Sequence, residues 1–116
     1  MNIEQAAEQA LLWAYYNPNQ MIGIATTQHV RSEYVRQLLQ SLHESVPDWI
    51  APKLERTIPG QIAFQNGSKI HMLSTAMAFK GRKFDLIFMD YNVEDDIKKE
   101  ALLQQSIHAK ITAYHP

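Results

Sequence analysis

The chain has no cysteine. That absence excludes a disulfide framework, a thiolate zinc site and a cysteine nucleophile, and it suits a reducing compartment. Neither sign of charge dominates: 11 Lys and Arg stand against 12 Asp and Glu, for a net charge of -1. This balance excludes a protein that neutralises phosphates across a broad face and leaves room only for a local basic patch. No apolar run approaches the roughly 20 residues a membrane helix requires. The acidic start, MNIEQAAEQALLW, lacks the basic region of a signal peptide. Repeats and low-complexity tracts are missing too. What is present is ordinary globular material: 116 residues with 46% hydrophobic and 20% charged content, enough for one folded domain and inconsistent with disordered, collagen-like or coiled-coil chains.

Periodicity divides the chain into alternating elements. Ile3, Ala6, Ala7, Ala10, Leu11 and Ala14 recur at helical spacing and predict a helix over residues 2–16, closed by Asn17-Pro18-Asn19. Met21 to Thr27 is a short apolar run without alternation, the pattern of a strand buried on both faces. Val30, Tyr34, Leu38, Leu42 and Val46 predict a helix over 28–45, with Thr27 as its cap. Residues 47–60 carry three prolines and read as an irregular connection. Residues 61–65 and 68–73 flank Asn66-Gly67, a hairpin signal. Ser74 to Lys83 reads as a loop, 84–90 as a buried strand, 93–107 as a polar helix and 109–114 as a last strand. The fold expected is one α/β domain: a largely parallel sheet of strands near 21–27, 69–74, 84–90 and 109–114, one antiparallel hairpin strand, and helices on both faces.

In such sheets ligands bind beyond the carboxyl ends of the strands, which would gather Thr26, Thr27, Asp90 and His115 on one rim. Four apolar residues run into Asp90; an aspartate there either meets the magnesium of a nucleotide or caps the next helix. Glu94, Asp95 and Asp96 complement a helix dipole, and Asn92 with Asp95 resembles a capping box. Lys80, Gly81, Arg82 and Lys83 form the dense basic run, read as a solvated loop or as a contact for a nucleic-acid phosphate. His29, His43, His71, His108 and His115 fall on separate elements without metal-ligand spacing. Ser74 and Thr75 lack the glycines of a nucleophile elbow. Trp13, Tyr15, Tyr16 and Trp49 sit beside helix ends and proline turns and read as core or interface aromatics.

Read in order, the segments resemble a known family. The run IAFQNGSKIHMLSTAMAFKGRKFDLIFMD is similar to the central part of the ATPase domain of phage terminase large subunits, the motors that package DNA into proheads. In that family a strand, an Asn-Gly-Ser hairpin, a second strand, a loop with Arg and Gly, and the Walker B strand follow one another. Upstream, ALLWAYYNPNQMIGIATTQHVRSEYVRQLL resembles the helix after the P-loop and the strand and helix that follow; downstream, AKITAYHP occupies the place of the coupling strand. The resemblance implies a P-loop NTPase core, with Asp90 as the magnesium ligand and an arginine of the 80–83 loop facing the nucleotide region.

Two departures limit what it implies. No G-x-x-x-x-G-K-[ST] occurs, so the phosphate cradle is missing, and the chain begins where the helix after that loop would begin. Tyr91 stands where the family's Walker B strand has a second carboxylate, the group that orients the attacking water. The expectation is a phage or prophage protein, a degenerate, non-catalytic terminase-like core that binds a phage or host protein in the bacterial cytoplasm without a cofactor. One alternative is a split ATPase, in which another chain supplies the P-loop and magnesium-ATP meets Asp90. A second is a small nucleic-acid-binding protein using Lys80, Arg82 and Lys83, with weak DNA affinity. An open sheet edge would also favour self-association.

Overall fold

The computed structural model describes residues 1–107 and 109–115. Helix α1 spans Ile3–Tyr16, strand β1 Met21–Ala25, helix α2 His29–Glu44, strand β2 Leu54–Ile58, strand β3 Gln61–Phe64, strand β4 Lys69–Leu73, strand β5 Leu86–Asp90, helix α3 Asp95–Ile107 and strand β6 Lys110–Tyr114. The six strands form one sheet in the order β2-β3-β4-β1-β5-β6. Strands β4, β1, β5 and β6 run parallel, while β3 is antiparallel to both β2 and β4. This is the expected α/β architecture, with one additional strand.

Helix α1 starts on a capping box: the Asn2 side chain accepts the Gln5 N–H, and the Gln5 side chain accepts the Asn2 N–H. Two orphan donors are thereby satisfied at the helix start. Ala6, Ala7, Ala10 and Ala14 are fully buried, so the helix axis lies close to the sheet. Helices α1 and α2 cover one sheet face through Leu11, Val35 and Leu39 packed on Ile22, Ile24, Ile70, Leu86 and Phe88. Helix α3 covers the other through Val93, Ile97 and Ala101, joined by Phe79 and Phe84 on Leu73 and Ile87. Gly23 in β1 is dictated by that second core, because a Cβ there would lie 2.8 Å from Leu73 and 3.2 Å from Phe84.

The Asn66-Gly67 turn does more than reverse the chain. The Asn66 side-chain amide donates to Ala14 O at 2.7 Å, and the Ser68 hydroxyl donates to Asn17 O at 2.6 Å. Both carbonyls belong to the end of α1, where intrahelical donors run out. Gly67, at φ +89°, has no room for a side chain, since a Cβ would fall 2.0 Å from the Asn19 side chain. The hairpin therefore fastens the α1–β1 connection to the sheet.

The structure departs from the sequence reading in four places. Residues 54–58, within the stretch read as irregular, form β2; Pro52 and Pro59 bracket a five-residue strand that proline content masks. The 74–83 loop contains a 3-10 turn, Ala76–Phe79, which seats Phe79 in the core. In α2 the buried face is Ser32, Val35 and Leu39, and Val30 is 68% exposed. Residues spaced by four drift around a helix of 3.6 residues per turn, so the stripe through Val30 and Tyr34 leaves the core, and the cap position is Gln28, not Thr27. Helix α3 opens at Glu94, whose carbonyl receives the Ile97 and Lys98 N–H groups; Asn92 is too far upstream to complete a box with Asp95. Among the described residues, no helix is long and apolar enough to cross a membrane.

Candidate functional site

Parallel pairing aligns the carboxyl ends of β4, β1, β5 and β6, so Thr26, Thr27, Asp90 and His115 do share a rim. Side-chain alternation puts Asp90 on the same face as Leu86 and Phe88, the face covered by α1 and α2. The carboxylate is 1% exposed and accepts the Asn92 N–H at 2.8 Å, while the Asp90 carbonyl accepts Val93 N–H at 3.2 Å. Asp90 thus folds the chain back at the strand end, the turn-forming role short acidic side chains play.

Around it lie groups that the sequence did not single out. Tyr114, at the end of β6, is buried and donates its hydroxyl to Ala25 O at 3.0 Å, spanning from β6 to β1. Burial and then the Asp90 carboxylate push the phenol well above its ordinary pKa, and Arg31 acts against them. The phenol is therefore held neutral, as a structural donor. The Thr26 hydroxyl donates to Gln28 O at 3.3 Å, which makes Ser32 the donor in their buried 2.8 Å contact. Arg31 projects over the Tyr34 ring, 5.4 Å from its centroid. Alternation along β6 could have flagged Tyr114; nothing local marks Ser32 or Arg31, which reach the rim only because α2 starts there.

Tyr91 is 60% exposed, and its ring lies against His115 with centroids 5.1 Å apart and planes tilted by 30°. The position after the strand-end aspartate thus carries an aromatic plate instead of an acid. Glu94, Asp95 and Asp96 are exposed on and just before the first turn of α3, where Asp96 accepts the Ile97 N–H at 2.8 Å. Their place suits the helix dipole. Among the described residues no three of His, Cys, Asp and Glu converge to hold a metal. Asp90 alone matches the way magnesium is commonly held, through one or two carboxylates plus the oxygens of a phosphate substrate and water. A nucleotide-borne magnesium fits that donor set; a protein-caged ion does not.

Lys80, Gly81, Arg82 and Lys83 are all exposed. They lead into the amino end of β5, whereas Asp90 closes its carboxyl end, so the backbones stand on the order of 20 Å apart. The Arg82 guanidinium donates to Ala78 O at 3.0 Å, and its carbonyl accepts the Gln104 amide at 2.8 Å. The structure does not bring this loop and Asp90 into one site. His71 lies buried on β4 with no hydrogen-bond partner at Nε2, edge-on to Phe84. His43 contacts the Tyr15 hydroxyl through Nδ1 at 2.6 Å. His108 falls outside the described residues. Trp13 and Tyr15 pack against the core as expected, while Tyr16 and Trp49 project outward, Trp49 at 84% exposure.

No protein-family model matches the chain, and no curated protein matches it. Solved structures do. The large terminase ATPase domain of Thermus phage P74-26 aligns with a TM-score of 0.57 and 15% identity, over 98% of this chain and 55% of that one. An arginine-to-alanine mutant of the same domain aligns over the same shares, with a TM-score of 0.57 and 14% identity. The chain spans about half the length of these structures, and at this identity the likeness is one of fold.

Proposed function

We propose that this chain, which has the fold of a phage large terminase ATPase domain, is a terminase-like phage protein that acts by binding another protein rather than by hydrolysing ATP. The observation that carries this reading is the pair Asp90-Tyr91. Hydrolysis requires a group that orients and activates water beside the nucleotide. At the carboxyl end of β5 the place after Asp90 is taken by Tyr91, largely exposed and lying against His115. The Tyr91 side chain does not replace the carboxylate that orients and activates the attacking water. Asp90 itself is committed to the Asn92 N–H. The test is magnesium-dependent ATP hydrolysis by the purified protein: none is expected above background, and turnover abolished by Asp90→Ala would overturn the proposal.

A second reading is favoured by the presence of Asp90 at the strand end, where one carboxylate can meet a nucleotide-borne magnesium. In it the chain is one part of a split ATPase and a separate polypeptide brings the phosphate-binding loop. When bound, magnesium-ATP would supply the charge-neutralising ion, and this chain would contribute Asp90 to hold it. A neighbouring reading frame ending in GKT or GKS supports this version, and its absence counts against it. A nucleic-acid role for Lys80, Arg82 and Lys83 would be independent of the rim. Salt-sensitive DNA binding lost in Arg82→Glu is the result that would establish it.

A further inference from the structure

We infer that Asn66 is a self-modification site, at which the side-chain amide is lost to the backbone of Gly67 once the hairpin lifts from α1. The reaction needs only these two residues and water. The Gly67 nitrogen attacks Asn66 Cγ, a bond forms between them and the Cγ–Nδ2 bond breaks; ammonia leaves, carrying the Gly67 amide proton. Water then opens the resulting succinimide at either of its carbonyls and leaves aspartate or isoaspartate. Glycine after asparagine favours the attack, because no side chain shields its nitrogen. The fold cannot dispense with that glycine: Gly67 stands at φ +89°, and a Cβ there would fall 2.0 Å from the Asn19 side chain.

In the folded chain both reacting groups are occupied. The Asn66 amide donates to Ala14 O at 2.7 Å and its side-chain oxygen accepts the Ser68 N–H at 3.0 Å, so the side chain is fixed at both ends. The Gly67 N–H donates to Phe64 O at 3.0 Å, and the Asn66 carbonyl accepts the Asn19 N–H at 3.2 Å. Attack requires the side chain and the Gly67 nitrogen to turn toward each other, which breaks these bonds. Gly67 is exposed and Asn66 half-buried, so a local opening suffices and water is at hand. The product does not fit the joint. A carboxylate has no hydrogen to donate to Ala14 O, and it sets a negative charge at the carboxyl end of α1, whose last turn holds no basic residue. Isoaspartate also lengthens the main chain by one carbon, which displaces the Ser68 hydroxyl from Asn17 O. Conversion is therefore one-way: the modified hairpin no longer fastens the α1–β1 connection.

The modification is independent of ATP hydrolysis and of partner binding. To test it, the purified chain is held in mildly alkaline buffer below its Tm beside a sample unfolded in guanidinium chloride, and both are followed by peptide mass spectrometry and by enzymatic methylation of isoaspartate. Conversion at Asn66 is expected in both, slower in the folded sample by about tenfold or more. The other asparagines, followed by Ile3, Pro18, Gln20 and Val93, are internal controls and should stay intact in the unfolded sample over the same period. Ser68→Ala, which removes the bond to Asn17 O, should speed conversion in the folded sample and leave the unfolded rate unchanged. Asn66→Asp carries the product's charge from the start and should lower Tm. Equal rates in the folded and unfolded samples, another asparagine converting at the same pace, a folded Ser68→Ala chain no faster than the native one, or undiminished Tm in Asn66→Asp would each overturn the proposal. The comparison of folded and unfolded native chain needs no variant, so it decides the matter even where Ser68→Ala fails to fold.

Discussion

Single residues in this protein are placed by what surrounds them more than by their own chemistry. His71 is the clearest case. Its imidazole is buried on β4 beside Phe84 with Nε2 unpartnered, and desolvation, reinforced by Arg82 and Lys69, lowers its pKa to about 4. The unfolded chain binds a proton near pH 6.5 while the folded one refuses it until about pH 4. Stability from His71 is therefore complete above pH 6.5 and declines as pH falls toward 4, by on the order of 3 kcal/mol across the window. His43, also lowered by burial, contributes with the same sign. In urea unfolding at a series of pH values, His71→Leu should flatten this slope and keep only the His43 part; an unchanged slope would refute the assignment. Gly23 shows the same dependence on surroundings. Gly23→Ala places a methyl against Leu73 and Phe84 and should cost about 1–3 kcal/mol in the same assay.

Between elements, the polar joints decide which pieces hold each other. The Asn66 side chain donates to Ala14 O and accepts the Ser68 N–H, tying the hairpin turn to the end of α1. Asn66→Ala removes both bonds and leaves a helix-end carbonyl without this donor, at a cost of about 1–3 kcal/mol. The exposed Gln105→Ala should change stability little, and equal midpoints for the two variants would show that the joint carries no stability. The elements themselves were largely legible in the sequence. The alanine stripe of α1, the unbroken apolar runs of β1 and β5 and the Asn66-Gly67 signal each declare a local geometry. β2 was not legible because its residues pair at the sheet margin, half-exposed or exposed throughout, so no hydrophobic alternation marks them. The register of α2 was missed because Val30 and Tyr34 continue an apolar spacing outside the core, and only packing against α1, β3 and β4 reveals that Val35 and Leu39 face inward.

At the scale of the whole molecule, two apolar cores share one sheet, and β1 and β5 contribute to both. Loss of either core therefore exposes the same central strands, and unfolding should be one cooperative transition. A ligand bound only by the folded chain raises Tm by mass action. Under the binding reading, millimolar magnesium-ATP leaves Tm unchanged in a thermal scan; a rise that disappears in Asp90→Ala would favour the split ATPase. By itself, the sequence determined the α/β class, the order of most elements and the carboxyl rim, since hydrophobic period and turn chemistry are local properties that survive without knowledge of contacts. It also determined that Tyr91 follows the strand-end aspartate. Only the tertiary structure decided that the basic loop and Asp90 lie at opposite ends of β5, and that Tyr114, Ser32 and Arg31 complete the rim. These depend on which strands become neighbours, and strand order arises from packing between segments far apart in the chain.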